Sequence, residues 1–500
     1  MTYQKFIKDV GLIGITQFLI GLSGFFLLPV ITKTLGSRDY GIWAQINITV
    51  YLLFPLALMG LSMGVVRFLS SEKDKEKIRE GFFSVLFVVA FTGLLLSIVV
   101  FLLSDFLAAS IFKDISTSGF VKVGAFLIFL SAIDQISIFY FRASRQVEIF
   151  AFLILFQTVG QLILVLLFIL LGFGLFGVIS AVLIVQGLLF IISIYKIVSQ
   201  IGFEIPKFNQ IGEYLKYSAP LTPNSLFSWI TNSSDRYMVS YFLGLSQVGI
   251  YSASYAIGNL INLFTTPIQL ILFPELSRLF DEGKIGEVKV YLGYSIKYFL
   301  LITIPAVFGL SALAKPILEI FTTQEFISGS IVIPFIALSG LLSGIFQIVI
   351  NITHLVKKIK FNLYIHIFAA LLNIVFNVLL IPLIGIVGAA IATLISYTSM
   401  VIICILVSFK HIEFNLNFGF IMKSIMASLI MFGFISRLNP SNIMDFFGLV
   451  VLGIFIYLAT MILIKGISRN ELNLLKSLRV NIINTIFNKI TNFNSSINRK

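Results

Sequence analysis

Asp235 and Arg236 are adjacent in the stretch Thr231–Tyr255, which lies mid-chain among long apolar runs. A charge held at the centre of a membrane costs about 2.5–3.5 kcal/mol on insertion scales, so a retained one points to a task. Arginine is the side chain best shaped to grip a phosphate through two parallel hydrogen bonds. The neighbouring carboxylate could orient it or bind a coupling cation, with Arg236 facing a cavity; a purely structural role for both stays open. Consecutive helical residues point about 100° apart, so no ordinary facing pair is expected between them. Some eight residues in from the end of their run, they would lie ~12 Å deep.

Other candidates are sparser. Arg67 and Asp134 fall at similar depth in different runs and could pair, or each could be structural or reach the interface. Asn373 and Asn377 are four apart and share a helix face, as do Asn259 and Asn262. Together with Asn232 these amides either bond neighbouring helices or line a polar cavity able to hold hydroxyls or phosphates. His366, about one turn into its run, reads as interfacial. The chain has no GxxxxGK[ST] or HExxH motif and no Cys/His cluster, so neither ATP hydrolysis, a metal site nor a cofactor is expected, and no covalent catalyst is read from it. Cys404 is the single cysteine and lies in an apolar run, where it reads as a small buried hydrophobe.

The elements that must position these residues are membrane helices. Hydrophobic residues make up 58%, charged residues 11%, and mean hydropathy is +1.04, against about 25% charged in soluble domains. Apolar runs long enough to cross the roughly 30 Å hydrocarbon layer recur without period-2 alternation, giving an all-α polytopic integral membrane protein. Fourteen spans are expected, at 10–31, 42–65, 82–103, 120–140, 151–171, 177–195, 218–243, 250–273, 295–312, 329–352, 361–381, 386–408, 421–436 and 446–464. With the N-terminus inside, 28 of the 35 lysines and arginines fall on the inner side, which predicts an N-in, C-in topology. The net charge of +13 is thus topogenic and favours anionic membrane lipids over nucleic acid. The longest connections, Lys196–Lys216 and Pro274–Tyr294, are too short for a folded domain.

An internal repeat divides the chain. Leu35-Gly36-Ser37-Arg38-Asp39-Tyr40-Gly41-Ile42-Trp43 matches Leu243-Gly244-Leu245-Ser246-Gln247-Val248-Gly249-Ile250-Tyr251 at an offset of 208. Gly174, Gly177, Ala181 and Leu183 match Gly385, Gly388, Ala392 and Leu394 at an offset of 211. The glycines would turn the chain between spans and let helix backbones approach. Nearly equal offsets at equivalent loops predict two pseudo-symmetric six-helix lobes in parallel orientation, the arrangement of rocking two-lobe transporters. The expected division is 1–200 (spans 1–6), 201–410 (spans 7–12), 411–465 (spans 13 and 14) and a basic cytoplasmic tail over 466–500.

These residues carry a resemblance. Pro29 with Leu35–Gly41, Gly60-Leu61, Arg67, Asp235-Arg236, Leu243-Gly244, Val248–Ser252, the Asn373/Asn377 pair and Gly385–Ala390 resemble the polysaccharide-biosynthesis, lipid-linked oligosaccharide flippases. These are relatives of multidrug exporters and lipid II flippases in the multidrug/oligosaccharidyl-lipid/polysaccharide exporter superfamily. The resemblance covers nearly the whole chain. It implies two six-helix lobes in a V with two added helices, and no enzymatic activity. It further implies translocation of a polyprenyl-phosphate-linked glycan across the cell membrane by alternating access, possible partners being glycosyltransferases or a polymerase of the same pathway. A cation-coupled small-molecule exporter is the alternative, with Asp134 the candidate acid in a span of the first lobe.

Overall fold

The computed structural model describes residues 3–466, and every regular element among them is helical. From residue 467 onward the expected basic tail lies outside the described residues. The chain opens with α1 (Tyr3–Leu58), two helices joined across a kink at Gly36, whose φ of 75° and ψ of −178° suit only glycine. Met59 and Gly60, both at positive φ, break it before α2 (Leu61–Leu69). Asp74 then caps α3 (Lys75–Leu102) by accepting from the Glu76 N–H. After α4 (Ser104–Ser110) come three long apolar helices, α5 (Ser118–Ala143), α6 (Val147–Leu170) and α7 (Gly174–Ile201).

A linker over 202–210 leads to α8 (Ile211–Ser218), and both are fastened to the first part of the chain. Glu204 pairs with Arg79 at 2.7 Å and with Lys207 at 2.7 Å. Hydrogen bonds from Lys207 and Arg79 hold its carboxyl below the usual range. Tyr214 is buried, and Ser218 backs directly onto Gly60 and Gly64. The linker expected over Lys196–Lys216 is therefore a docked strap that is helical at both ends.

The second half begins with α9 (Thr222–Leu243), which ends at Gly244 with φ 85° and ψ 173°. There follow α10 (Leu245–Gly258), a 3-10 turn over Asn259–Phe264, α11 (Thr265–Asp281), α12 (Ile285–Ala312) and α13 (Ala314–Phe321). A second 3-10 turn, Gln324–Ile331, precedes α14 (Val332–Val349), α15 (Asn351–Leu355), α16 (Lys360–Ile384) and α17 (Ile386–Phe409). The last two helices are α18 (Phe418–Ile435) and α19 (Ile443–Leu463). Of the connection expected over Pro274–Tyr294, only residues 282–284 are non-helical, because α11 continues through Pro274 to Asp281.

Twelve stretches of the described residues are long and apolar enough to cross a bilayer, against the fourteen spans expected. Two features account for the difference. The stretch counted in α1 is Leu27–Leu58, so the first expected span, 10–31, is not among the twelve; and α9 carries Ser, Thr, Asn, Asp and Arg side chains that lower its hydropathy. Buried apolar side chains form two cores. One runs from Ile31 to Tyr214 with Leu245 added, the other from Val239 to Met461 with Leu28 added.

The two cores meet where the repeated motif stands. A Cβ added to Gly41 would lie 2.0 Å from the Leu245 carbonyl oxygen, and one added to Gly249 would lie 1.9 Å from that of Ser37. Gly41 corresponds to Gly249 and Ser37 to Leu245 at the same offset of 208, so the contact is reciprocal. Two tasks of the repeat are thereby separated: Gly36 and Gly244 turn the chain, while Gly41 and Gly249 let two helix starts touch. Around this seam the Glu325 carboxylate accepts from the Ser37 N–H at 2.8 Å and its hydroxyl at 2.7 Å. Lys33 Nζ donates to the Ile320 carbonyl at 2.6 Å, and the Tyr40 and Phe326 rings meet edge to face.

The seam makes a measurable prediction. Gly249→Ala is expected to lower the stability of the detergent-solubilised protein by at least ~1–3 kcal/mol, the usual cost of overpacking. Gly187→Ala, inside α7 where an added Cβ meets nothing within 4 Å, should leave thermal unfolding unchanged or raise it slightly. Equal melting temperatures for the two variants would disprove the close contact.

Candidate functional site

Helix α9 carries the charged pair and is the hub of a polar network. Asp235 is fully buried and Arg236 is 6% exposed. Contrary to the expectation from helical geometry, the two do pair: Arg236 Nη1 lies 2.8 Å from Asp235 Oδ1. The arginine side chain is long enough to fold back along its own helix, where Nη1 also donates to the Asn232 carbonyl. Asp235 Oδ1 accepts the Arg236 backbone N–H as well, at 2.9 Å. Its other oxygen accepts from the Tyr251 hydroxyl and, at 3.4 Å, from Thr393 Oγ1. The guanidinium stacks 3.7 Å from the Tyr255 ring centroid and 5.3 Å from that of Tyr251, a cation–π contact worth about 2 kcal/mol when desolvated.

Beyond α10, which supplies Tyr251 and Tyr255, the network takes in two further helices. Tyr397 on α17 donates to Asn232 Oδ1. Ser234 donates to Asn373 Oδ1 on α16 at 3.2 Å, and Asn377 Nδ2 reaches the Asn373 carbonyl at 2.8 Å and its Oδ1 at 3.0 Å. Asn373 and Asn377 are both fully buried, and Asn373 Nδ2 and Asn377 Oδ1 have no partner. The structure therefore gathers Asp235, Arg236, Asn232, Asn373 and Asn377 into one cluster. Tyr251, Tyr255, Thr393 and Tyr397 complete it and were not foreseen. Tyr251 stands in the sequence as the aromatic that closes the repeated motif, and Tyr255 follows it four residues later on α10.

Beside this cluster lies a cavity of about 400 Å³, within the size range of small-molecule sites. Asn232 and Thr231 of α9 and Tyr397 of α17 form one wall. Ser343 and Gln347 of α14, with Asn362 and His366 of α16, form the other, and Asn262 closes it from the 3-10 turn. None of its lining residues carries a formal charge, counting histidine as neutral. Asn262 Oδ1, Asn362 Oδ1 and His366 Nδ1 are buried without partners. Arg236 is not among the lining residues. The cavity lies away from the glycine seam: the Gln324–Ile331 turn bonds to Ser37 there, and α14 then runs one way from Val332 towards Ser343 and Gln347.

The remaining candidates stand elsewhere. Asn259 is exposed and accepts from Asn262 Nδ2 at 2.6 Å, the two being stacked by the 3-10 turn. Arg67 is exposed on α2, whereas Asp134 on α5 is 2% exposed and neither of its oxygens has a hydrogen-bond partner. The pairing of Arg67 with Asp134 is therefore corrected: equal depth in sequence does not turn the two side chains towards each other. Of the described residues, no group of His, Cys, Asp and Glu is arranged to hold a metal ion.

Comparison with known proteins places this geometry. Residues 30–331 match the family described as polysaccharide biosynthesis protein. A relative from Haloferax volcanii, named a probable low-salt glycan biosynthesis flippase, is 24% identical over 52% of this chain and 56% of its own length. The chain thus spans about half the length of that curated relative. Among solved structures, the lipid II flippase MurJ in an inward closed conformation superposes with a TM-score of 0.76 at 20% identity. It covers 90% of this chain and 98% of that one. An inward-facing multidrug transporter of the MATE family gives 0.65 at 15% identity, over 79% and 97% of the two chains. The family match spans more than half of the sequence, and this multi-pass membrane chain belongs to the polysaccharide biosynthesis protein family.

Proposed function

We propose that the protein is a flippase, not an enzyme, that carries a polyprenyl-phosphate-linked oligosaccharide from the inner to the outer leaflet of the cell membrane by alternating access. In this reading the chain crosses fourteen times, N-in and C-in, with α1 counted as two spans and α9 as one. Residues 1–200 and 201–410 are the two lobes, 411–465 adds two helices, and the Gly36–Gly244 end faces outward. The observation that carries the proposal is the placement of two features on opposite sides of the buried Asp235–Arg236 cluster. The lobes touch backbone to backbone at Gly41 and Gly249, while a polar cavity stands at the other end. A transporter closed outside and accessible from the cytoplasm has this form. The family match and a relative named as a glycan flippase support the cargo class. Glycosyltransferases or a polymerase of the same pathway would supply and consume it.

Arg236 and Asp235 are the residues we assign to the phosphate end of the cargo. Arg236 is held by a carboxylate and two tyrosine rings, a cage that keeps the guanidinium buried until an anionic group displaces Asp235. Removing one member of a buried pair strands the other charge, at a cost of about 3–5 kcal/mol. Arg236→Met should therefore lower thermal stability, and Asp235→Asn combined with Arg236→Met should restore most of it. If the arginine grips phosphate, the restored double variant still fails to complement surface-glycan assembly in a deletion strain. Full glycan output from the double variant would show that the pair is structural only.

A second reading, a cation-coupled exporter of small molecules, is favoured by the unpartnered carboxyl of Asp134 inside the first core. The two readings part in a deletion strain. Loss of a flippase leaves lipid-linked glycans accumulating on the inner leaflet, detected by extraction and mass spectrometry. Unchanged glycan lipids with increased drug sensitivity would establish the exporter.

A further inference from the structure

We infer that the 400 Å³ cavity between α9, α14, α16 and α17 is a receptor for the uncharged sugar part of the cargo, separate from the residues assigned to its phosphate. The inference rests on the flippase reading and specifies where within the protein the sugar sits.

The chemistry of the wall selects the ligand class. It presents amides from Asn232, Asn262, Gln347 and Asn362, hydroxyls from Ser343 and Tyr397, and the His366 imidazole. A phosphate or pyrophosphate would need cationic donors, and no lysine or arginine lines the cavity. A metal cation would need carboxylates, and none lines it either. A sugar hydroxyl both donates and accepts. It therefore satisfies an asparagine side chain whichever way the amide is turned, and either nitrogen state of a neutral imidazole.

Three polar atoms are built into the wall without partners: Asn262 Oδ1, Asn362 Oδ1 and His366 Nδ1. Leaving such groups unpaired in a buried site costs about 1–3 kcal/mol each; the three atoms themselves have almost no accessible surface, and the residues that carry them meet at the wall of one cavity. Most of the other wall groups are already engaged. Asn232 is held by Tyr397 and by the Ser228 carbonyl, and Gln347 Nε2 donates to Ser343 at 3.3 Å. These fixed side chains pre-orient the site, and Phe346, edge-on to His366 with ring centroids 5.5 Å apart, adds an apolar surface for a sugar ring face.

The wall also links this cavity to the charged pair. Asn232 lines it, and the Asn232 carbonyl accepts from Arg236 Nη1 one helical turn away. A sugar joined to a phosphate could therefore reach both at once, with no charge entering the cavity itself.

The test uses the purified full chain in lipid nanodiscs and two soluble short-chain probes: a bare prenyl pyrophosphate, and the same probe capped with a hexose or an N-acetylhexosamine. Binding of each is measured by isothermal calorimetry. One of the capped probes is expected to bind at least ~10-fold more tightly than the bare probe, each tenfold step being a single decade in Kd. In Asn262→Leu and His366→Phe that advantage should fall to about one, with bare-probe affinity unchanged. Melting temperatures check folding, and Asn362→Leu, at a half-buried position, replaces either variant that fails to fold. Equal binding of capped and bare probes by the parent protein, or an advantage that survives these substitutions, would overturn the assignment. Absence of binding by every probe would overturn the flippase reading itself.

Discussion

The carboxylate of Asp235 is fully buried, and four donors converge on it: the Arg236 N–H, the Arg236 guanidinium, the Tyr251 hydroxyl and, more weakly, the Thr393 hydroxyl. An ionised carboxylate left bare in such an interior would be too costly to retain. The surrounding bundle is arranged around that fact. Tyr251 comes from α10 and Thr393 from α17, so two helices are brought to fixed rotations about α9. Ser234 and Asn232, on the same helix, engage α16 and α17 in turn. Because the arginine neutralises its neighbour, the cluster carries no net charge. What it supplies is geometry: four helices whose mutual orientation depends on one buried ion pair, at the boundary of a polar cavity.

Much of this was readable from the residues. Apolar runs separated by basic or glycine-rich breaks located the long helices but not the short α4, α8 and α13, and the repeat located the seam between the two cores. The charged pair and the Asn373/Asn377 face were identifiable because a polar group in an apolar run is costly and stands out. The partners were not identifiable in the same way. Tyr251, Tyr255 and Tyr397 are ordinary amphipathic aromatics, and nothing in their spacing says that they cage a guanidinium contributed by another helix. The expectation that Asp235 and Arg236 could not pair considered only the directions of their Cα–Cβ bonds. An arginine chain spans more than the separation those directions impose. Arg67 and Asp134 show the converse: depth along a helix can be counted from the sequence, but rotation about its axis is set by packing.

Pseudo-symmetry and its violation have different physical sources. The seam is symmetric because contact between two backbones requires the same missing Cβ on both sides, and Gly41 and Gly249 supply it reciprocally. The ion pair has no counterpart at the offset of 208, where residues 27 and 28 are both leucine. Leu28 instead joins the apolar core of the second half. The shared motif builds the contact, whereas the chemistry that distinguishes one half from the other lies outside it.

That division bears on how a two-lobed transporter could work. The seam brings Gly41 and Gly249 backbone to backbone, and each core takes a side chain from the other half, Leu28 in the second and Leu245 in the first, so separating the halves withdraws those side chains from the cores. Its polar ties include the Glu325 carboxylate on Ser37 and Lys33 on the Ile320 carbonyl, and further contacts between the halves run from Trp229 Nε1 to the Ile48 carbonyl, between Thr49 and Tyr237, and from Ser240 to the Ile111 carbonyl. The cavity, by contrast, is walled entirely by residues of the second half, and its amides are cross-bonded within that half. Opening the seam would leave the cavity walls intact. A ligand held there would then keep its contacts while the lobes moved apart, which alternating access requires of a site that binds on one side and releases on the other. In the flippase reading, the second half is therefore the element that holds the sugar, and the first half is the element that moves against it.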